Sequence, residues 1–310
     1  MSHTQTITSR APGSVMLMGE HAVVYGHTAI ACALDRYIRV SLTARSDEQV
    51  VIDSALAQYS ASLDSLPDDP NLRFVLTSIK QFSGCYPSGF TLHIRSEFSH
   101  TQGLGSSAAV TVATLKVLGH FCQQPMTDLE HLAIALKVVR SVQGRGSGTD
   151  LAASIFGGVI AYRNDPLEVQ RLEGLPDLAL YYCGYKTTTA VVLEQVARRQ
   201  QEAKDLYDSL YGLMDQCSKA AVESLQAQNW PLFGQLMNYY HGLMDALGVN
   251  DKILSEMIYT LRAREGVLGA KISGSGLGDC VISLGREQQL EGFETIAIVA
   301  AAQGVMLGVN

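Results

Sequence analysis

Apolar and polar positions over the first forty residues alternate with the two-residue period of strands. ITSRAPGSVMLMG reads as a strand, a Pro-Gly bend and a second strand, and DRYIRVSLTA as a third. HAVVYGHTAIACAL, between them, predicts a short apolar helical or turn segment. VVIDSA (50–55) and GFTLHIRSEF (89–98) add strands around NLRFVLTSIKQFSG, whose apolar spacing is helical. A glycine-serine run then opens an Ala-rich helix from about Ser106 to Phe121. A second helix, TDLEHLAIALKVVRSVQ, starts at the capping-type Thr127-Asp128 and ends at the loop GRGSGTD (144–150). LAASIFGGVIAYR follows as a short helix, a glycine break and a strand.

The texture changes near residue 178. LALYYCGYKTTT predicts a strand and loop, and 189–265 is helical in period, with breaks near Tyr207, Asn229-Trp230-Pro231 and Gly248-Val249-Asn250 that divide it into roughly four helices. KISGSGLGDCVISLG (271–285) reads as strand, glycine turn, strand. The uncharged tail from Thr295, TIAIVAAAQGVMLGVN, is too short to span a bilayer and predicts a buried helix, a glycine turn and a final strand. Strands and helices mixed in this way give an α+β class. The expected division is 1–170 and 171–310, two directly packed domains without a flexible linker or internal repeat.

Composition narrows the function classes. With 47% hydrophobic and 17% charged residues in 310, the chain has a large core to bury and is not a disordered polymer. Thirty acids against 23 bases give a net charge of −7, and no window forms a Lys/Arg cluster, so neither nucleic acid nor a membrane surface is an expected partner. A small molecule is, with at most a second copy of the chain. The six cysteines are widely spaced with no CxxC, which favours reduced thiols over a zinc site. The N-terminus lacks the basic-then-apolar order of a signal peptide, and a cytoplasmic location is expected.

Candidate chemistry lies in glycine loops. In QGLGSSAA, Gly103 and Gly105 allow close backbone approach to a ligand, while Ser106 and Ser107 sit where free N–H groups and the helix dipole favour phosphate. An ordinary glycine turn with serine caps is the plain alternative. No Gly-Lys pair occurs in the chain, which excludes the common P-loop. In GSGTD, Asp150 either caps the helix that follows or accepts a proton from a substrate hydroxyl attacking a phosphoryl group. GAKISGSGLGDC places Gly274, Gly276 and Gly278 at alternate positions, as a hairpin turn or as packing against the other loops. Glu20 and His21, adjacent polar residues between apolar stretches, are either a buried hydrogen-bonded pair or substrate contacts.

In order, Pro12 to Gly26, Gln102 to Ala109, Gly146 to Asp150 and Gly269 to Cys280 resemble the four motifs of the kinase superfamily named for galactokinase, homoserine kinase, mevalonate kinase and phosphomevalonate kinase. The likeness extends through NYYHGLMDALGVNDKILSEMIYTLR to most of the chain. It implies an N-terminal domain like ribosomal protein S5 domain 2 joined to a ferredoxin-like C-terminal domain, with ATP and magnesium as cofactors. GEHAVVYG is most similar to the mevalonate kinase branch, which implies phosphorylation of mevalonate to 5-phosphomevalonate. The resemblance further implies that Glu20 and His21 contact that substrate, and that Gly103, Leu104, Gly105, Ser106 and Ser107 wrap the ATP phosphates. Ser107 would reach magnesium, Asp150 would be catalytic, and Gly274 and Gly276 would back the nucleotide.

Two positions depart from that pattern. Ser14 stands where a lysine is usual, and Val139 where a magnesium-binding glutamate is usual. Arg145 and Lys186 are candidates to restore the missing positive charge. VQGRGSGTDLAAS and GYKTTT also resemble phosphomevalonate kinases. That enzyme or another alcohol kinase of the superfamily is therefore the alternative, with an inactive nucleotide-binding regulator as the reading from a different class.

Overall fold

The computed structural model describes residues 6–99, 103–144, 146–286 and 289–309. In chain order the first half contains β1 (Thr6–Met18), β2 (Ala29–Ala44), β3 (Gln49–Ser54), β4 (Gln58–Ser62), α1 (Arg73–Lys80), β5 (Phe90–Ser96), α2 (Ser106–Phe121), α3 (Asp128–Gln143), α4 (Thr149–Phe156), β6 (Val159–Asn164) and β7 (Leu167–Leu172). The second half contains β8 (Leu178–Lys186), α5 (Thr189–Glu202), α6 (Lys204–Gln226), α7 (Trp230–Ala246), α8 (Lys252–Arg262), β9 (Val267–Ser273), β10 (Gly278–Gly285), β11 (Glu294–Ile296) and β12 (Met306–Val309). This is the expected α+β architecture in two parts.

One sheet runs β12-β1-β2-β5-β3-β4, with β6 and β7 attached to the first half of β2; the other is antiparallel in the order β11-β8-β10-β9. Helices α2 and α4 pack on β1 and β2, while α7 and α8 pack on β9. The expected boundary at 170/171 needs correction, because it falls inside β7, which belongs to the first sheet. The crossing lies between β7 and β8, and β12 returns to pair with β1, bringing the chain end back to the N-terminal part.

Local signals place the helices well. Thr127 accepts from the Glu130 N–H while the Glu130 side chain reaches back to the Thr127 backbone, a complete capping box at the start of α3. Asn229 and Asp251 cap α7 and α8 with a single bond each, accepting from the N–H of Leu232 and Leu254.

Three segments differ from the pattern reading. β1 passes through Pro12-Gly13 as one strand with a register shift there, instead of two strands. The apolar AIACAL expected as helix or turn begins β2; Ala29 to Leu34 are all fully buried between β1 and β6, and a strand covered on both faces loses its alternation. No helix follows Thr295 among the described residues. That stretch is extended, and its backbone groups pair with Ala33, Asp35 and Gly158, which supplies the hydrogen bonds a helix would otherwise make internally.

Candidate active site

The two glycine-serine loops converge on β1. Ser14 is buried; its N–H donates to the Leu104 carbonyl at 3.1 Å and its hydroxyl to Asp150 Oδ1 at 2.8 Å. Gly105 closes this contact: at φ 67° it caps α2, and a Cβ there would lie 2.3 Å from Ser14 Oγ. Neither Gly105 nor Gly148, the residue preceding α4, has a side chain to cap its helix, and both helix N-termini meet at Ser14, through Gly105 and Asp150. Ser106 and Ser107 stand half-buried in the first turn of α2, and Leu104 is buried beneath the loop as its anchor. Asp150 does not cap α4. It lies within the first turn and faces Ser14.

Burial raises the Asp150 carboxyl above the usual aspartate range, opposed by the Ser14 hydrogen bond and by the charge of Lys186. Lys186 ends β8 and pairs with Asp279 at 2.6 Å, so one of the two cations considered from the sequence does stand at the site. Arg145 lies outside the described residues, as does Gln102 at the edge of its motif. Asp279 itself had no sequence signal beyond following the third glycine turn.

That turn divides its labour. Gly276 is required by packing: a Cβ there would lie 2.2 Å from the Val249 carbonyl oxygen, so Gly276 seats the turn on the segment between α7 and α8. Gly274 is less crowded, since a Cβ there would meet only Asp279 Oδ2, at 3.9 Å.

Glu20 and His21 follow β1 at the seam between the two parts. Glu20 is 2% exposed and bonded to the wholly buried Lys271 of β9; Tyr240 donates to the Glu20 carbonyl at 2.9 Å and lays its ring 5.6 Å from the lysine nitrogen. Burial pushes the Glu20 carboxyl up and the Lys271 amine down, each pulled back by the charge of the other. His21 sits at φ 62° with Nε2 2.9 Å from the Ser275 carbonyl. That contact makes Nε2 the protonated nitrogen. Burial holds the ring below the ordinary histidine range, so it is neutral at physiological pH and Nδ1 is an acceptor. Glu20 Oε2 and His21 Nδ1 are both buried without a hydrogen-bond partner. Glu20 is thus a structural strut through Lys271, and the pair leaves two buried acceptor atoms facing no donor. Lys271 and Tyr240 were not singled out from sequence, because their partner lies more than 200 residues away.

The chain matches the models described as GHMP kinases N terminal domain over residues 72–158 and GHMP kinases C terminal over 221–294. A mevalonate kinase of Thermococcus sibiricus is 31% identical over 94% of this chain and 93% of its own. The chain belongs to the GHMP kinase family. A galactokinase galactose-binding signature also matches, over residues 2–44. Among solved structures, a Lin0012 protein from Listeria innocua superposes with a TM-score of 0.86 at 22% identity, covering 98% of this chain and 99% of that one. Lactococcus lactis galactokinase complexed with galactose gives 0.83 at 18%, covering 97% and 95%. Both share the fold.

A GHMP kinase is an ATP-dependent phosphotransferase, and this donor set fits a nucleotide that brings its own magnesium. The cradle is lined by backbone N–H groups and serine hydroxyls, and the described residues contain no group of three His, Cys, Asp or Glu that could cage a metal. Val139 is 8% exposed in the apolar core and packs against the Gly146 loop, so α3 contributes no carboxylate there. Magnesium keeps several waters and phosphate oxygens in such sites, with one or two protein ligands. No helix among the described residues is long and apolar enough to cross a membrane.

Proposed function

We propose that this GHMP kinase transfers the γ-phosphoryl group of ATP to the primary hydroxyl of mevalonate, giving 5-phosphomevalonate. The observation that carries this reading is the pair of adjacent buried acceptors, Glu20 Oε2 and His21 Nδ1, which suit an acceptor bearing more than one hydroxyl donor. The identity of 31% to a mevalonate kinase over nearly the whole chain points the same way.

In this mechanism Gly103 to Ser107 hold the phosphates with backbone N–H groups and hydroxyls. Magnesium, when bound, neutralises charge on the β- and γ-phosphates. Asp150 accepts the proton of the attacking hydroxyl, and Ser14, donating to Oδ1, fixes the carboxylate orientation and favours its ionised form. His21 and Glu20 orient the acceptor. Positioning and charge neutralisation supply most of the acceleration.

A sugar is the second reading, favoured by the galactose-binding signature over residues 2–44. Steady-state kcat/KM on one preparation, with mevalonate, 5-phosphomevalonate and galactose as acceptors, separates them. Mevalonate should lead. A higher value for either other compound overturns the assignment and names its replacement.

A further inference from the structure

The third glycine turn ends in a feature the family chemistry does not require. β10 pairs with β8 at Gly278–Lys186 and again from Cys280–Tyr182, so the shift in register places the extra residues on β8, before Lys186, and Asp279 stands opposite them at φ 69°. An aspartate in left-handed backbone carries strain, and a bulge in the facing strand breaks the regular aim of side chains along the ladder. Here the side chain leaves its own sheet and meets the N-terminal part: a Cβ on Gly103 would lie 2.8 Å from Asp279 Oδ1. On its other side Asp279 Oδ2 holds Lys186 at 2.6 Å, with Asp279 13% and Lys186 37% exposed. A carboxylate beside a phosphate cradle repels the nucleotide it faces unless its charge is matched. The cation matching it stands at the mouth of the cradle whose far wall is Gly105, Ser14 and Asp150.

We propose that Lys186 is the catalytic cation of this kinase, delivered from the C-terminal part to the phosphoryl group in transfer, and that Asp279 is the positioning residue that holds it there. The arrangement also explains how a neutral Ser14 is tolerated beside Asp150, since the positive charge arrives from β8. Lys186 is partly exposed and tethered by one ion pair, so it is free to turn from Asp279 to a phosphate oxygen without disturbing the core. No bond is made to it. It offers N–H donors to an oxygen on which negative charge accumulates, and it stabilises the ionised form of Asp150. The charged and polar groups facing Asp150 are Ser14 from β1 and Lys186 from β8, with Asp279 behind the lysine. This inference rests on the kinase chemistry of the family and not on which alcohol is the acceptor.

The test combines turnover with a titration that needs no substrate. Lys186→Met should lower kcat by about a hundredfold or more, the scale for losing one transition-state donor. In the unliganded protein it should move the Asp150 carboxyl titration upward, read by carboxyl carbon NMR with Asp150→Asn as the assignment control, because a cation favouring the ionised form has gone. Lys186→Arg should recover most of the activity. Asp279→Asn should lower kcat about tenfold, yet cost nothing further in the Lys186→Met background. Asp279→Gly, which relieves the left-handed backbone, should lose the same tenfold while melting no lower than the parent. An unmoved Asp150 titration, a Lys186→Met kcat within threefold of the parent, or multiplicative losses in the double variant would each overturn the proposal. A wrong acceptor assignment would leave the unliganded titration intact.

Discussion

Replacing Lys271 with methionine leaves a carboxylate with no cation in a site that excludes water. Lys271 is 0% and Glu20 2% exposed, and the two join β9 to the segment after β1 across the seam between the two parts. Stranding one partner of a buried ion pair costs about 3–5 kcal/mol, because the remaining charge is neither solvated nor paired. Exposed pairs behave otherwise: Arg39–Glu97, at 3.1 Å with side chains 49% and 38% exposed, should cost no more than about 1 kcal/mol when broken. At about 2.1 cal/mol/K per residue, the unfolding entropy of a 310-residue chain is roughly 0.65 kcal/mol/K, so Lys271→Met and Glu20→Gln should each lower Tm by about 5–8 °C. The Glu20→Gln, Lys271→Met double variant removes both charges and should melt well above the additive expectation, with a coupling of roughly 2 kcal/mol or more. The assay is thermal unfolding of the four proteins at fixed pH, with Arg39→Met as the exposed control. Since the strut also sets the backbone of His21, KM for the acceptor should rise in Lys271→Met while the affinity for nucleotide stays near that of the parent. A Tm within 2 °C of the parent for Lys271→Met, or additive losses in the double variant, would refute the argument that this pair is a desolvated strut.

Asp150→Asn should cut kcat by at least about a hundredfold, and full activity would sink its role as base. The same change should raise Tm at pH 7. The folded carboxyl titrates above its unfolded value, so its stabilisation is complete only below the unfolded value and the ionised group is a burden at neutral pH; the gain should shrink as pH falls from the raised folded value down to the ordinary aspartate value. Ser107→Ala should weaken binding of the magnesium–ATP complex without loss of Tm, measured by calorimetry; if Tm alone falls, the serine serves only the helix start. The acid limb of kcat/KM should lie above the ordinary aspartate range and move to higher pH in Ser14→Ala, which loses the hydrogen bond that favours ionised Asp150; a shift to lower pH contradicts that geometry.

Helices α2, α3 and α4 and the glycine loops before them were legible along the chain, because caps, breaks and the chemistry of a helix N-terminus are set by residues within a turn of one another. Order and composition of those loops also carried the family, and with it the expectation that Asp150, Gly103 to Ser107 and His21 form the site. Tertiary structure decided what depends on partners distant in sequence. Ala29 to Leu34 became a strand because β1 and β6 flank it and both faces are covered, which erases the period that marks a strand. The tail after Thr295 stayed extended because Ala33, Asp35 and Gly158 supply its hydrogen bonds. Glu20 acquired its cation from a strand 251 positions away, and Asp279 met Gly103 and Lys186 across a register shift between β8 and β10 that no local pattern encodes. Local sequence sets the free energy of a turn or a cap, whereas the pairing of buried charges is selected only once two surfaces exclude the water between them.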